Sequence, residues 1–562
     1  MSSLSPDTMP RSGDAMPALR PPRPTVSPRW ERFPVLPLAI ALVLAGYVLF
    51  PPVRDSQGLK TAFLGVSAVL TAWSLALVVL GRSSGRLFPV ERNIVKAHWV
   101  QACAQTTILL YWGWYARAVY EQIPQIIGQM LFVYALDALL TWSRGQTWRI
   151  GFGPLPIILS TNLLLWFRND WFWMQFAMIA LGVLGKQYVQ WTREGRRTHI
   201  FNPSTFGQFL FAIALIVTGT TVQLTWGKEI ATTFDAPPHI FTVLFLVGLV
   251  VQYLFGVTLM TLSAVATLCV LNITYTRTTG VYYFINANMG AAIFLGMHLL
   301  ITDPATSPRT NTGRVIFGVL YGGIYFALYR LLDNLGVPLF WDKLLPVPFL
   351  NLMVPLIDRF ARSGFVGRFN HWWETAFDPR RANLVHMGCW SALFGTMLAT
   401  GYVEAPHPGA SIGFWKKAYE EGKPRGELNF KKMLLVEASK DSAPALNQLG
   451  VLYLKGELVP ENHAAAANFF RRACELGDPD GCDNLMRQFL FMGEAASDEA
   501  VAQGFAGIEA QCAAGTDGQA CFLLGVAFQL GRGRPTDPVR AAQLFQKACE
   551  LGYDPACEQL RH

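Results

Sequence analysis

A series of long apolar runs between residues 34 and 400 constrains the fold of this chain more than any other feature. A helix that crosses a bilayer needs about 20 mostly apolar residues. The runs predict an all-α fold, a polytopic helical membrane domain with about 13 spans. The predicted spans lie at residues 35–51, 61–81, 97–116, 125–142, 152–167, 171–189, 205–220, 239–256, 258–276, 284–302, 314–332, 345–357 and 383–400. Two of them, 152–167 and 345–357, are short or polar, and a re-entrant segment at either place would change the count.

Charged residues make up only 15% of the chain, and the formal net charge is +8. Basic residues of membrane proteins gather in cytoplasmic loops, so this charge indicates a membrane topology. We therefore expect the lipid bilayer as a partner and no nucleic acid.

The segment 1–33 is rich in Pro, Ser and Arg and lacks the early apolar core of a cleaved signal peptide. It is predicted to be a disordered cytoplasmic tail. With this tail inside, the inner loops carry most of the basic residues, in segments 82–96, 144–149, 193–197, 309–314 and 359–381. This asymmetry predicts a cytoplasmic N-terminus, and thirteen crossings then place the C-terminal domain outside the membrane.

Nine cysteines fall into two groups. Three lie in apolar spans and are interpreted as small buried hydrophobic residues, namely Cys103, Cys269 and Cys389. The other six form the sequence pairs Cys474/Cys482, Cys512/Cys521 and Cys549/Cys557. These pairs recur about every 37 residues, a period in the range of stacked helix pairs. One cysteine of each pair is predicted to end a helix and the other to open the next, so that a disulfide joins the two helices.

Metal binding is the competing interpretation of the paired cysteines. It is disfavoured because no second Cys or His lies at the close spacing that zinc sites use. Disulfides form in oxidising compartments, which agrees with an outer placement. We predict disulfide-linked helical repeats at residues 441–562, after a linker at residues 404–440.

These repeats resemble the SEL-like repeats, relatives of the tetratricopeptide repeat, in the cysteine-rich form of secreted bacterial proteins. The Ala-Cys-Glu-Leu-Gly segments at 473–477 and 548–552 carry the resemblance, with the Leu-Gly-Val segments at 449–451 and 524–526. The middle unit departs from the pattern at residues 485–489. The resemblance implies a protein ligand for this domain.

Three polar segments interrupt the apolar background, at residues 199–207, 301–308 and 351–358. Asn202 can cap a helix with Pro203 at its first position. Prolines and an acid at 301–308 are costly near the bilayer unless protein or water surrounds them. The candidate cofactor-binding residues are Asn202, Thr205, Asp303 and Thr306. The alternative is that Asn202 and Asp303 only cap the backbone. Asp137 and His298, which also fall within predicted spans, are further ionisable candidates.

The three polar segments together resemble one membrane family over roughly residues 90–365. It comprises the D-type membrane protein of the RNF electron-transport complex, the B-type membrane protein of the sodium-translocating NADH:quinone oxidoreductase, and relatives from enediyne gene clusters. The matching features are His-Ile-Phe-Asn-Pro at 199–203, Thr-Asp-Pro-Ala-Thr-Ser-Pro at 302–308, Gly-Arg-Val-Ile-Phe-Gly at 313–318 and Pro-Leu-Ile-Asp at 355–358.

The resemblance implies an electron-transfer subunit with FMN or another flavin, in the bacterial inner membrane, and a separate redox partner protein. The family attaches its flavin to a Thr in a Ser-Gly-Ala-Thr motif. The corresponding loop, residues 219–235, has threonines but not this motif, so the resemblance does not carry a covalent flavin over. No iron–sulfur cysteine pattern and no Gly-rich dinucleotide loop occurs in the sequence.

Two alternatives from other classes stay open. Pro-broken spans also suit a transporter or channel that keeps the fold without a flavin. The membrane domain could instead serve as an anchor that displays the repeats. The Asn-Pro and Asp-Pro segments favour a functional membrane domain over a plain anchor.

The topology is testable by thiol labelling in intact cells. In a background without the three cysteines of the apolar spans, a cysteine replaces Ser411, before the repeats, or Ser363, in the last basic loop. We expect a membrane-impermeant maleimide to label the first and not the second. Equal labelling at both positions would refute the predicted topology.

Overall fold

The computed structural model of this chain describes residues 34–85, 87–193, 195–492 and 498–561. The predicted tail at residues 1–33 lies outside the described residues. The all-α class is confirmed, because helices dominate and strands are few and short. The described residues form two compact units, one from residues up to Ala264 and from Ala291 to Trp390, the other from Val265–Gly290 and Ser391 onward.

The first unit contains most of the apolar helices, and two long helices, α13 and α18, contribute residues to both units. In chain order the helices are α1 (Val35–Gly46), α2 (Pro51–Arg54), α3 (Gln57–Ser84), α4 (Lys96–Tyr115), α5 (Ala118–Glu121), α6 (Ile123–Ser143), α7 (Leu155–Asn162), α8 (Trp173–Tyr188), α9 (Pro203–Thr218), α10 (Thr221–Leu224), α11 (Gly227–Phe234), α12 (Ile240–Phe255), α13 (Thr258–Thr279), α14 (Ala291–Leu299), α15 (Asn311–Asn334), α16 (Pro346–Ala361), α17 (Gly364–Ala376) and α18 (Pro379–Ala399).

Five helical segments are long and apolar enough to cross a membrane, judged by length and composition among the described residues. They are Gln57–Ser84, Ile123–Ser143, Thr258–Thr279, Asn311–Asn334 and Leu339–Ala361. Shorter apolar helical segments occur at Val35–Leu49, Pro203–Thr218 and Ile240–Phe255. The predicted count of about 13 spans is therefore not confirmed.

Two predicted spans form only short, buried helices. Residues 152–167 contain the eight-residue α7, and residues 284–302 contain the nine-residue α14. At 1.5 Å per residue these helices are roughly 12–14 Å long, less than half of the hydrocarbon thickness. Residues 284–302 are predicted as a full span because apolar content alone does not reveal where a helix stops.

Four short strands complete the first unit. Strand β1 (Val90–Arg92) pairs in parallel with β2 (Trp148–Ile150), and β3 (Gln190–Arg193) pairs with β4 (Arg196–His199) as a hairpin. The hairpin leads directly into α9, whose first turn is capped by Asn202, since its side-chain oxygen accepts from Ser204 N at 3.1 Å. It therefore holds Arg193 and His199 beside the start of α9.

The second unit carries the helical repeats, and the predicted linker at 404–440 itself contains two helices. The helices are α19 (Ile412–Glu420), α20 (Gly426–Ala438), α21 (Ala443–Lys455), α22 (His463–Glu475), α23 (Pro479–Arg487), α24 (Asp498–Ala514), α25 (Gly518–Leu530), α26 (Pro538–Glu550) and α27 (Asp554–Gln559). A π-helical turn follows α23 at Gln488–Met492. This turn lies in the middle repeat, where the sequence departs from the repeat pattern.

The structure contains the three predicted disulfides, Cys474–Cys482, Cys512–Cys521 and Cys549–Cys557. In each, one cysteine lies near the end of a helix and its partner lies in the next helix, as the spacing predicts. Within the first repeat and again within the last, a glycine of one helix packs against a phenylalanine ring of the other. A Cβ on Gly450 would lie 2.4 Å from the Phe470 ring, and one on Gly525 would lie 2.6 Å from the Phe545 ring. Glycine is needed at both positions for the two helices of the repeat to approach each other.

Asp483 is a buried acid between two repeats. It accepts a hydrogen bond from Gln519 Nε2 at 2.6 Å. Burial and the nearby charge of Asp517 raise the pKa of the Asp483 carboxyl to about 7. The folded protein therefore binds this proton more tightly than the unfolded chain does. The resulting stabilisation is complete below the ordinary carboxyl pKa and is lost as pH rises through about 7.

We expect the repeats of the wild-type chain to lose stability between pH 5 and pH 8.5, and Asp483→Asn to remove most of this loss. With a folded pKa of about 7, the expected wild-type loss between these two pH values is on the order of 2–3 kcal/mol, several degrees in Tm. Thermal unfolding of the full chain at both pH values measures it. Glu558→Gln, at an exposed position, is the control and should follow the wild type. An Asp483→Asn profile as steep as the wild type's would contradict the assignment.

Candidate functional site

The three polar segments of the sequence meet in the first unit. Asn202 N donates to Asn351 Oδ1 at 3.2 Å, and Asn202 Nδ2 donates to the Leu300 carbonyl at 3.1 Å. Asn351 Nδ2 donates in turn to the Thr306 carbonyl at 3.0 Å. We call this set, Asn202, Leu300, Thr306 and Asn351, the polar junction. It joins the start of α9 and the second turn of α16 to the non-helical segment after α14.

The predicted site residues Asn202, Thr205 and Thr306 are all buried. The Thr205 hydroxyl donates to the Asn202 carbonyl at 3.1 Å, within the first turn of α9. The Asn202 side chain caps α9 through its oxygen and binds the Leu300 carbonyl through its nitrogen. These residues therefore position the backbone, which agrees with the capping alternative for Asn202.

An ion pair between Arg193 and Asp358 lies beside the polar junction. Arg193 also donates to the Ser307 carbonyl at 3.0 Å. Asp358 Oδ1 accepts from Arg309 N and from the Thr310 hydroxyl, both at 3.2 Å. Removing one partner of such a buried pair costs about 3–5 kcal/mol, so this pair fixes the segment 307–310 against α16.

Among the predicted site residues, Asp303 has a side chain that is partly exposed to solvent. Its Oδ2 lies 3.3 Å from His199 Nε2, and its Oδ1 accepts from Ala305 N at 2.9 Å. The side chains of His199 and Asp303 are 18% and 22% exposed. His98 and Lys186 lie close enough that their charges interact with that of Asp303. Four ionisable groups from α4, α8, β4 and the segment after α14 therefore share one region.

One cavity is lined by His98 and Lys186 of this region, and a second cavity adjoins the first. The inner cavity measures about 160 Å³, and its polar lining includes Asn93, His98, Asp137, Arg149 and Lys186. The outer cavity measures about 680 Å³ and shares Asp137 and Arg149 with the inner one. Pockets for small molecules measure about 300–1,000 Å³. The outer cavity is in this range, while the inner one admits water or a phosphate-sized group.

Asp137 is held in the wall between the cavities. Its two carboxylate oxygens accept from Trp148 Nε1 at 3.0 Å and from Gln187 Nε2 at 2.8 Å. His298 is buried in α14, with Nδ1 2.7 Å from the Phe294 carbonyl. A Cβ on Gly248 would lie 2.2 Å from its ring. Asp137 thus contributes to the cavity lining, whereas His298 is packed between helices.

A second charged cluster, around the buried side chains of Asp342 and Lys343, was not predicted from the sequence. Asp235 Oδ1 accepts from Ala291 N at 2.6 Å and so caps the start of α14. Lys343 is buried, and its charge interacts with those of Asp235 and Asp342. The signal was present in the sequence, because Asp342 and Lys343 adjoin each other between two apolar runs.

The loop at residues 219–235 forms helices α10 and α11. The hydroxyls of Thr232 and Thr233 donate to carbonyls of their own helix, Lys228 O at 2.9 Å and Glu229 O at 2.8 Å. Within the described ranges, no group of three or more His, Cys, Asp or Glu side chains could hold a metal ion.

Comparison with known proteins agrees with both resemblances. The sequence matches the NQR2, RnfD, RnfE family over residues 238–367 and the Sel1 repeat over residues 443–478 and 518–553. The family match includes Asp303, Thr306 and Asn351 and excludes Asn202 and Thr205. The middle repeat, with its π-helical turn, lies outside the Sel1 matches.

Individual relatives cover short stretches. The D-type component of the ion-translocating oxidoreductase complex of Tolumonas auensis is 37% identical over 79 residues, which is 14% of this chain and 21% of that protein. The B-type component of the Na(+)-translocating NADH-quinone reductase of Ectopseudomonas mendocina is 38% identical over 74 residues, 13% of this chain and 17% of that protein. A solved Sel1 repeat protein from Oxalobacter formigenes is 26% identical with a TM-score of 0.19, covering 23% of this chain and 94% of that one.

This chain therefore spans about a fifth of the length of the curated relatives it matches. Its apolar helices and the family match make it a multi-pass membrane protein. The chain contains a domain of the NQR2, RnfD, RnfE family, followed towards its C-terminus by Sel1 repeats.

Proposed function

We propose that this chain is a membrane electron-transfer subunit that holds FMN or another flavin non-covalently. The observation that carries the proposal is the family domain at residues 238–367, which contains the segment around Asp303. Two relatives are named as subunits of oxidoreductases that translocate ions. By analogy, this chain would receive or deliver electrons through a separate redox partner protein in an ion-translocating complex.

The residues near the inner cavity suit an anionic cofactor such as FMN. Lys186 supplies positive charge, and the ring nitrogens of His98 and His199 can donate hydrogen bonds, which suits a phosphate group. Asn202, Thr205 and Thr306 would act through the backbone, by holding the segment that carries Asp303. The outer cavity is large enough for the rest of the cofactor. A bound flavin would supply the electron-carrying chemistry.

We place the chain in the bacterial inner membrane, with its N-terminus cytoplasmic and its Sel1 repeats outside. The basic inner loops support this orientation. Three disulfides in the repeats support an oxidising compartment. Sel1 repeats there would bind a protein ligand.

A transporter or channel on the same fold is the second candidate function. The short helices α7 and α14 favour it, because discontinuous helices with polar ends often form substrate and ion sites in transporters. The two functions differ in one requirement, since only the first needs a bound flavin.

Asp303→Asn tests the site. It removes the carboxylate beside His199 and keeps the shape of the side chain. A hydrogen bond to a charged group contributes about 1.5–3 kcal/mol, so flavin retention or electron transfer should fall roughly 10-fold to 100-fold. The visible absorption spectrum of the purified full-length protein measures the flavin, and reduction by an added donor measures electron transfer.

Asp170→Asn, at an exposed acid elsewhere in the first unit, is the matched control and should leave both quantities unchanged. Both variants should reach the membrane at near-normal levels. A wild-type protein without flavin absorption would contradict the electron-transfer function and favour transport. Wild-type flavin content and electron transfer in Asp303→Asn would show that Asp303 only caps the backbone.

A further inference from the structure

The basic segment 359–381, which the sequence interpretation treated as a loop, contains the thirteen-residue helix α17. One side of α17 is fixed to the start of α15. Asn370 Oδ1 accepts from Thr312 N at 3.1 Å, and Glu374 Oε1 accepts from Asn311 N at 3.1 Å. These two side chains satisfy free amides in the first turn of α15. The rotation of α17 about its own axis is therefore set by the protein.

The opposite side of α17 exposes three large aromatic rings. Phe365, Phe369 and Trp372 are 76%, 45% and 60% exposed. Their spacing places them on one face of the helix, about half a turn from Glu374. Rings grouped in this way on a fixed helix mark a surface that another apolar phase covers.

The helix that precedes α17 in the chain, α16, also exposes a row of apolar side chains. The exposed apolar side chains of α16 are Phe349, Leu352, Met353, Leu356 and Phe360. The segment that contains α16, Leu339–Ala361, is one of the candidate membrane spans. The apolar surface of a span faces lipid, so the same lipid phase extends towards α17.

The charge around α17 is strongly positive. Five arginines lie between residues 359 and 381, namely Arg359, Arg362, Arg368, Arg380 and Arg381. The two acids in this segment already accept from backbone amides, Glu374 from Asn311 N and Asp378 from Arg381 N at 3.2 Å. Arginines beside a row of aromatic rings are typical of helices that lie on anionic membranes.

We propose that α17 lies in the plane of the membrane surface, with Phe365, Phe369 and Trp372 at the boundary of headgroups and acyl chains. The flanking arginines bind the phosphate groups of anionic phospholipids. Lipid fits this face better than a protein partner does, because α17 begins three residues after a candidate membrane span and is bordered by cations. The helix thereby anchors the start of α15 at a defined depth.

Spin labelling of the full-length protein in nanodiscs tests the depth of α17. The three free cysteines, Cys103, Cys269 and Cys389, are first replaced. A single label is then placed at Phe365 or at Trp372, and the matched control carries it at His371. His371 is exposed on the same helix, about 120° around from Phe365. Two aromatic positions are labelled in separate variants, so that the test still gives a result if one of the variants does not fold.

We expect the labels at 365 and 372 to collide with oxygen, which concentrates in lipid, more than with a water-soluble nickel chelate. The label at 371 should show the reverse. If the labels at 365 and 372 favour the nickel chelate, the face is in water and the proposal is wrong. If both reagents are excluded there, protein covers the face, and the proposal is wrong in its choice of partner.

Varying the phospholipid composition of the nanodiscs tests whether α17 binds anionic headgroups. Nanodiscs of phosphatidylcholine alone are compared with equal mixtures of phosphatidylcholine and phosphatidylglycerol, in the wild-type background and with Arg368→Gln. We expect the labels at 365 and 372 to lie deeper in the anionic mixture, and Arg368→Gln or high salt to reduce this difference. Equal depth in both lipids would overturn the binding of anionic headgroups.

Discussion

Backbone amides and carbonyls that leave a helix at membrane depth must find partners within the protein, because hydrocarbon offers none. The segment that follows α14 has this requirement, since residues 300–310 are non-helical and largely buried. Asn202 binds the Leu300 carbonyl and Asn351 binds the Thr306 carbonyl. Two amide side chains from distant parts of the sequence thus allow the chain to turn where an apolar run would otherwise continue as a span.

The backbone of the segment that follows α7 is also bound by groups from other parts of the sequence. Gln175 accepts from Phe167 N at 3.2 Å and donates to the Leu165 carbonyl at 3.3 Å. The amide of Trp226 donates to the Trp166 carbonyl at 2.8 Å. Both short helices therefore end in segments whose backbone is bound by buried amides. After α14, this arrangement leaves Asp303 partly exposed beside His199.

Much of this organisation could be predicted from the sequence, and the limits have physical causes. The disulfide pairs follow from a local spacing, and the polar segments were visible because prolines and acids are costly near a bilayer. The end of α14 could not be predicted, because Asn202, which binds the Leu300 carbonyl just after that helix, is distant in sequence. Asp342 and Lys343 were missed because they were assigned to a loop between spans, and α17 because its arginines indicated only topology.

The convergence of Asn202 and Asn351 is the contact on which this account depends, and cross-linking measures it directly. Cysteines replace both residues in a chain without the three free cysteines, and a short bifunctional thiol reagent is added to membranes. We predict an internal cross-link between positions 202 and 351, identified by peptide mapping. A control pair at 351 and Thr218, the opposite end of α9, should not react. Absence of the 202–351 cross-link, with both thiols still accessible to a small maleimide, would contradict the polar junction.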